Sequence, residues 1–203
     1  MRLEPVDPTR HGPDLFSASA GADAIWTHLA YGPFDDEASF TTWLEARAES
    51  KDPQFYAVVD RASGAARGMA SYMRFVPDDG VIEIGHIWFA PAIQKTKQAT
   101  EAIFLLARHA FDDLGYRRLE WKCDSLNAAS RRAALRFGFT YEGVFRQHMV
   151  VKGRNRDTAW FSIIDGEWPK VRAAFEGWLA DSNFDASGRQ RKTLVEIREG
   201  LGS

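Results

Sequence analysis

The stretch IWFAPAIQKTKQATEAIFLL, Ile87 to Leu106, joins a short apolar run to an amphipathic segment through Ala90-Pro91 and a polar loop. A strand feeding a helix start is a place to hold an anion. The first N–H groups of a helix are unpaired and its dipole is positive there, so a pyrophosphate fits. Lys95 and Lys97 add positive charge, Thr96 and Thr100 add hydroxyl donors, and Ala99 keeps one position small. Loops of this kind usually carry glycine, which lets backbone approach a phosphate closely. None lies between Pro91 and Leu106. Two readings stand side by side: a phosphate site built on amides and ammonium groups, and a capped surface helix with solvated lysines.

Other residues could do chemistry. Asn127 and Ser130 sit where a helix begins, and Asn127 is a natural cap. His86 lies on an apolar strand, where a histidine packs or titrates near neutrality. His148 and Asp157 flank the QHMVVKGRNRDTAWF hairpin and could line a pocket, or Asp157 could pin Lys152 to Arg156 by salt bridges. Cys123 is the single cysteine, so no internal disulfide can form. It reads as a buried free thiol.

The elements that position these residues follow from periodicity. Gly21 to Leu29 and Asp36 to Lys51 read as helices, the second with Phe40, Trp43, Leu44 and Ala48 on one stripe. Gln54 to Arg61 and Ala66 to Val76 read as a hairpin, and Pro77 to Gly80 as a turn into a third strand, Val81 to Phe89. Ile103, Leu106, Ala107, Ala110, Phe111 and Leu114 form a helical stripe ended by Gly115. Arg117 to Asp124 is a strand, Asn127 to Phe137 a helix stopped by Gly138, and Phe139 to Val144 and Arg146 to Ile164 are strands. Glu167 to Leu179 is a helix with Pro169 in its first turn. This order is an α+β domain with one mixed sheet rather than an alternating doubly wound fold. Residues 1–181 read as one domain, and 182–203 as a polar, partly exposed C-terminal tail.

Composition excludes some functions. The chain has 203 residues, 26 Lys and Arg against 28 Asp and Glu, and a formal net charge of −2. A general nucleic-acid binder would carry a basic surplus. No apolar run is long enough to span a membrane, and MRLEPVDPTRHGPDLF has no apolar signal core. With one cysteine, this reads as a soluble cytoplasmic protein.

The element order, the pattern IWFAP-x-x-Q-x-x-x-x-A-T-E-A and the block CDSLNAASRRAALRFGFTYEGVFR resemble the GNAT superfamily of N-acetyltransferases. The match is nearest to the RimJ/RimL-like group, which acetylates protein N-termini or small amines, and covers roughly Asp52 to Trp168. The resemblance implies a mostly antiparallel central sheet of about six to seven strands, flanked by helices and splayed at its centre. It implies acetyl-CoA as cosubstrate and no metal. The family's loop, Gln/Arg-x-x-Gly-x-Gly/Ala, falls here on Gln94, Lys97 and Ala99, so Lys97 departs from it. The resemblance puts the pyrophosphate on the amides of Lys95, Thr96, Lys97, Gln98 and Ala99, and the pantetheine arm along Ile87, Trp88 and Phe89. It puts Asn127 near the pantetheine and Ser130 near the departing thiol. Many relatives have a tyrosine acid seven residues after the Asn; Ala134 stands there, which leaves Ser130 as the candidate acid.

For proton removal from the amine, the resemblance points to Glu83. Strand alternation would put Glu83 and Gly85 on the face of Ile87, and His86 on the other; the bland reading of Glu83 is a solvated residue at a strand start. His86 and Glu142 are lesser candidates. Trp26, Tyr31, Phe34, Phe40, Trp43 and Tyr72 belong to the half that closes over the acceptor in this family, most of them as core. The expected activity is direct acetyl transfer to a primary amine of a peptide N-terminus, an amino-acid derivative or a small molecule. The alternative is an acyl-CoA-binding or ligand-sensing module without catalysis. Nucleic-acid contact through Lys152, Arg154 and Arg156 is opposed by the overall acidity and by Asp157. Family habit and exposed apolar surface leave room for a homodimer.

Overall fold

The computed structural model describes residues 1–202. Its centre is a seven-stranded sheet in the order β1-β2-β3-β4-β5-β7-β6. The strands are β1 (Arg2–Pro5), β2 (Gln54–Val59), β3 (Ala66–Val76), β4 (Val81–Phe89), β5 (Arg118–Asp124), β6 (Thr140–Val151) and β7 (Arg154–Ile164). Only β4 and β5 run parallel, because a helical crossover joins them. The helices are α1 (Pro8–Ser19), α2 (Glu37–Ala48), α3 (Lys97–Arg108), α4 (Ala128–Phe137), α5 (Trp168–Leu179) and α6 (Leu194–Gly200).

The two faces of the sheet differ. On one, Ile82 and Ile84 of β4, Leu119, Trp121 and Cys123 of β5, and Ala159, Phe161 and Ile163 of β7 pack against Ile103, Leu106, Phe137 and Phe175. This is the stripe expected from the helical spacing, and Gly115 ends it in the left-handed region at φ +70°. The helix widens into a π turn at His109–Asp113 before that glycine. On the other face, α1 and α2 cover the β1–β4 half through Leu15, Phe40, Leu44, Phe55, Met69 and Trp88. Across β4, β5 and β7 the same face carries Glu83, Glu120, Lys122, Trp160 and Ser162, which lie out of step with the apolar series.

Three expectations change. The helix expected at Gly21–Leu29 is a short 3₁₀ turn, Asp23–Trp26, and the true helix is the preceding α1. Its start carries a signal: the Asp7 carboxylate accepts from the amides of Thr9 and Arg10, with Pro8 in the first turn. Gly12 and Pro13 hide its stripe. The strand expected to break near Phe145 is continuous but bulged, with Gln147 at φ +50°. The residues after Asp181, expected as a tail, are exposed over much of their length but anchored. Leu194 is buried in the main core, α6 starts with a Thr193/Glu196 capping box, and Arg198 donates to the carbonyls of Leu135 and Arg136. No helix among the described residues is long and apolar enough to cross a membrane.

Candidate active site

The sheet opens at its centre. β4 and β5 pair only from Val81–Ile84 to Arg118–Trp121. Beyond that point β5 continues against β7, while β4 stays with β3. The β5-facing edge of Gly85–Phe89, which includes Ile87, Trp88 and Phe89, therefore lacks a strand partner. The cause is a bulge at His86, whose φ is +51°, matched by a register shift against β3 between Met69 and Ser71.

That bulge overturns the expected alternation. An extra residue swaps the faces of everything beyond it. Ile82, Ile84, Ile87 and Phe89 all pack toward the α3 core. His86 meets Tyr31 and Phe55, and Trp88 joins the α1–α2 core. Glu83 thus lies on the face opposite Ile87 and shares it with His86.

The loop into α3 shows why glycine is dispensable at Lys97. Gln94 is extended and its amide donates to the Phe89 carbonyl at 2.9 Å. Lys95 takes the left-handed turn at φ +60°. Thr96 caps the helix: its hydroxyl donates to the Ile93 carbonyl at 2.6 Å and accepts from the Ala99 amide at 3.4 Å. Lys97 is the first helical residue, where any side chain fits. Its ammonium lies 2.7 Å from the Asp181 carboxylate and 4.7 Å from the Phe184 ring centroid. The amides of Lys95, Lys97 and Gln98 have no backbone acceptor among the described residues. Ala99 and Thr100 are buried beneath the turn.

Across the opening, Asn127 caps α4 by accepting from the Ser130 amide at 3.0 Å. The Ser130 hydroxyl accepts from Trp121 Nε1 at 2.9 Å, which occupies one of its lone pairs. Burial pushes the neighbouring Cys123 thiol up, opposed by its hydrogen bond to Ser130. Ala134 is buried in the core, so no phenol enters from α4.

The opposite face is charged. Glu83 is only 5% exposed, not a solvated strand start. Its Oε2 accepts from Lys122 at 2.9 Å and lies 3.5 Å from Arg74 Nε. Lys122 is shared with Glu120 at 2.7 Å and sits 3.8 Å from the Trp160 ring centroid. Burial raises the Glu83 pKa above the usual carboxylate value, against the pull of Lys122 and Arg74. His86 does not titrate near neutrality: burial first, then Arg47 and Arg156, push it down to about 4. It is a neutral ring, 3.1 Å from the Tyr31 hydroxyl.

The remaining candidates separate. Glu142 is held by Arg118 and by the Ser162 hydroxyl and stays ionised. Asp157 pins the hairpin through the amides of Gln147 (2.7 Å) and Asn155 (3.0 Å), not by salt bridges. His148 bonds Thr158. Trp26 and Phe40 are core, and Tyr72 belongs to the α3 face, where its hydroxyl donates to Leu106.

Two features escaped sequence reasoning. Lys152, at the hairpin tip, donates to the carbonyls of Trp26 (2.9 Å) and Gly32 (2.6 Å), tying β6–β7 to the aromatic loop. His28 from that loop lies 3.2 Å from Asp124 at the end of β5. Both are long-range pairs without a local signal. No cluster of three or more His, Cys, Asp or Glu able to hold a metal exists among the described residues.

Residues 1–140 match the family model described as an acetyltransferase (GNAT) domain. A crystal structure of a GCN5-related N-acetyltransferase from Brucella melitensis is 52% identical, with a TM-score of 0.96 over 98% of this chain and 90% of that one. A probable acetyltransferase (GNAT family) from Chromobacterium violaceum is 54% identical, with a TM-score of 0.78 over 82% of this chain and 84% of that one. Among curated proteins, "Putative ribosomal N-acetyltransferase YdaF" of Bacillus subtilis is 30% identical over 105 residues. That match spans 52% of this chain and 57% of the relative's length.

Proposed function

This chain belongs to the GNAT acetyltransferase family, and we propose that, as a RimJ/RimL-like member, it moves an acetyl group from acetyl-CoA directly to a primary amine of a peptide N-terminus, an amino-acid derivative or a small molecule. The observation that carries this reading is the open β4–β5 edge leading straight to the free amides at the start of α3. The edge suits the amides of a pantetheine arm, and the helix start suits a pyrophosphate. Acetyl-CoA would supply the activated thioester; Ile87, Trp88, Phe89 and Asn127 would align its arm. The free amides of Lys95, Lys97 and Gln98 would hold its phosphates; the Thr96 and Ala99 amides, engaged by the Ile93 carbonyl and the Thr96 hydroxyl, shape the turn, and Gln94 would brace it.

In the reaction the amine nitrogen attacks the thioester carbon. The C–N bond forms, the C–S bond breaks, the amine gives up one proton and the CoA thiolate gains one. Glu83 is our candidate to take the amine proton, directly or through one water. A carboxylate with a raised pKa is a better base than an ordinary one. Ser130 is the candidate to return a proton to sulfur, with one of its lone pairs occupied by Trp121. A thiolate leaves readily, so the absence of a phenol at Ala134 is tolerable.

Direct transfer is tested by initial rates of CoA release over a grid of acetyl-CoA and amine concentrations. Intersecting reciprocal lines are expected. Parallel lines, the mark of a covalent acetyl-enzyme, would overturn direct transfer. We further propose a cytoplasmic protein, on its lone cysteine, and a homodimer, on the exposed Phe145, Met149 and Val150 of β6.

A further inference from the structure

Apart from Glu4 Oε2 and His11 Nε2, which lie 3.4 Å from each other beside Arg10, the unsatisfied buried groups share one character. Trp43 Nε1, Trp88 Nε1, Trp160 Nε1 and Arg156 Nε are all buried without a protein partner, and all four are donors. Arg156 is the charged one. It alternates along β7 with Thr158 and Trp160, so it stands on their face, just past the end of β5, where Asp124 pairs with Thr158. Its guanidinium makes no ion pair among the described residues. The nearby carboxylates are already engaged: Asp124 by His28, Glu83 by Lys122 and Arg74, and Asp157 by the Gln147 and Asn155 groups. On the other side of His86, Arg47, on the last turn of α2, stacks on Tyr31 and Trp43 at 5.6 and 5.1 Å and has no carboxylate partner either. The charges of both arginines reach His86, which lies between their elements. A half-buried guanidinium, its Nε buried beside orphaned donors, lacks a carboxylate from its own chain.

Resting on the transferase reading above, we propose that Arg156 receives a carboxylate carried by the acceptor, so that the acceptor is an amine bearing an acid group near its nitrogen rather than a polyamine. Arg47 adds long-range attraction from the other rim. A polyamine would meet two unpaired cations and a set of orphaned donors, with the nearby carboxylates already engaged. A carboxylate satisfies Arg156 Nε and turns the acceptor's amine toward Glu83. The acid group could belong to a free amino acid or to an acidic first residue of a peptide, and the chemistry at Arg156 is the same.

The test compares binding and turnover. Calorimetry of the CoA-loaded protein would use N-acetylglycine, N-acetylalanine and N-acetylserine, each against its uncharged amide. Tighter binding of at least one acid over its amide by about tenfold is expected, abolished in Arg156→Gln and partly restored in Arg156→Lys. Turnover then separates the sources: free amino acids, peptides beginning with Asp or Glu, and spermidine. With Arg156→Gln, KM for the carboxylate acceptor should rise about tenfold or more while kcat and the KM for acetyl-CoA hold. Equal binding of acids and amides, or spermidine as the best acceptor, would overturn the proposal. Acid-selective binding with no turnover of any amine would leave Arg156 its role and remove the transferase reading instead.

Discussion

The proposed donor side and the proposed acceptor side of the site are built by different means. The donor side is local. The loop from Gln94 to Ala99 holds itself through Gln94 to Phe89, Thr96 to Ile93 and Ala99 to Thr96, all within a few residues. The acceptor side is assembled from distant segments: Lys152 reaches Trp26 across 126 residues, His28 reaches Asp124 across 96, and Lys122 reaches Glu83 across 39. The first is damaged most directly by putting the wrong group into the turn. The second can be loosened from several places, with its effects confined to the acceptor.

The largest effect should come from the donor side. Ala99→Glu would place a carboxylate under the phosphate turn at a buried position, where an unpaired charge costs several kcal/mol. Acetyl-CoA affinity should fall about 100-fold or more, read by calorimetry on protein whose circular dichroism is intact; affinity within about threefold would mean the turn does not meet the phosphates.

Next is the carboxylate that joins the two sides. Glu83→Gln should lower kcat about 100-fold and leave the KM for acetyl-CoA unchanged, if Glu83 takes the proton. A base works only when deprotonated, so wild-type kcat/KM should fall as pH drops through the Glu83 pKa. Because burial raises that pKa, the fall should lie above pH 4.5 rather than below it, and should vanish in the variant. A kcat within about threefold of wild type would return Glu83 to the role of an anchor for Lys122.

Lys152→Met tests the long-range half. It removes two hydrogen bonds to carbonyls and frees the hairpin from the aromatic loop. Partly exposed as they are, the loss should be about 1 kcal/mol in a denaturant melt, with the acceptor KM raised about fivefold and acetyl-CoA untouched. An equal rise in both KM values would contradict the division. Ser130→Ala should be the mildest, about threefold in kcat, because the thiolate needs little help and Trp121 loses only one acceptor. A loss above about 30-fold would make Ser130 an obligatory acid.

What the sequence made legible follows the same line. Strands β2 to β5, the α3 stripe and the Asn127 and Gly138 ends of α4 are periodic or capped, and they appear where spacing puts them. The parity of β4 was not legible. A residue at φ +51° looks like any other in a string, and His86 carries no glycine to mark it. That one residue moved Glu83 to the opposite face from Ile87 and changed His86 from a titrating group into a neutral partner of Tyr31. Arg156 was legible only as one of three basic residues in a hairpin; its neighbours Lys152 and Arg154 are exposed, and only the fold turns its Nε inward.

The most direct measurement is a calorimetric titration with acetyl-CoA, desulfo-CoA and ATP, repeated on Lys97→Gly. If free amides and the open strand edge hold the cosubstrate, both CoA compounds bind in the micromolar range and ATP far more weakly. Lys97→Gly should then change the affinity by no more than about threefold, since Lys97 is already helical and its ammonium is turned to Asp181. No binding of either CoA compound at millimolar concentration would contradict the account, leaving a GNAT fold without its cosubstrate site.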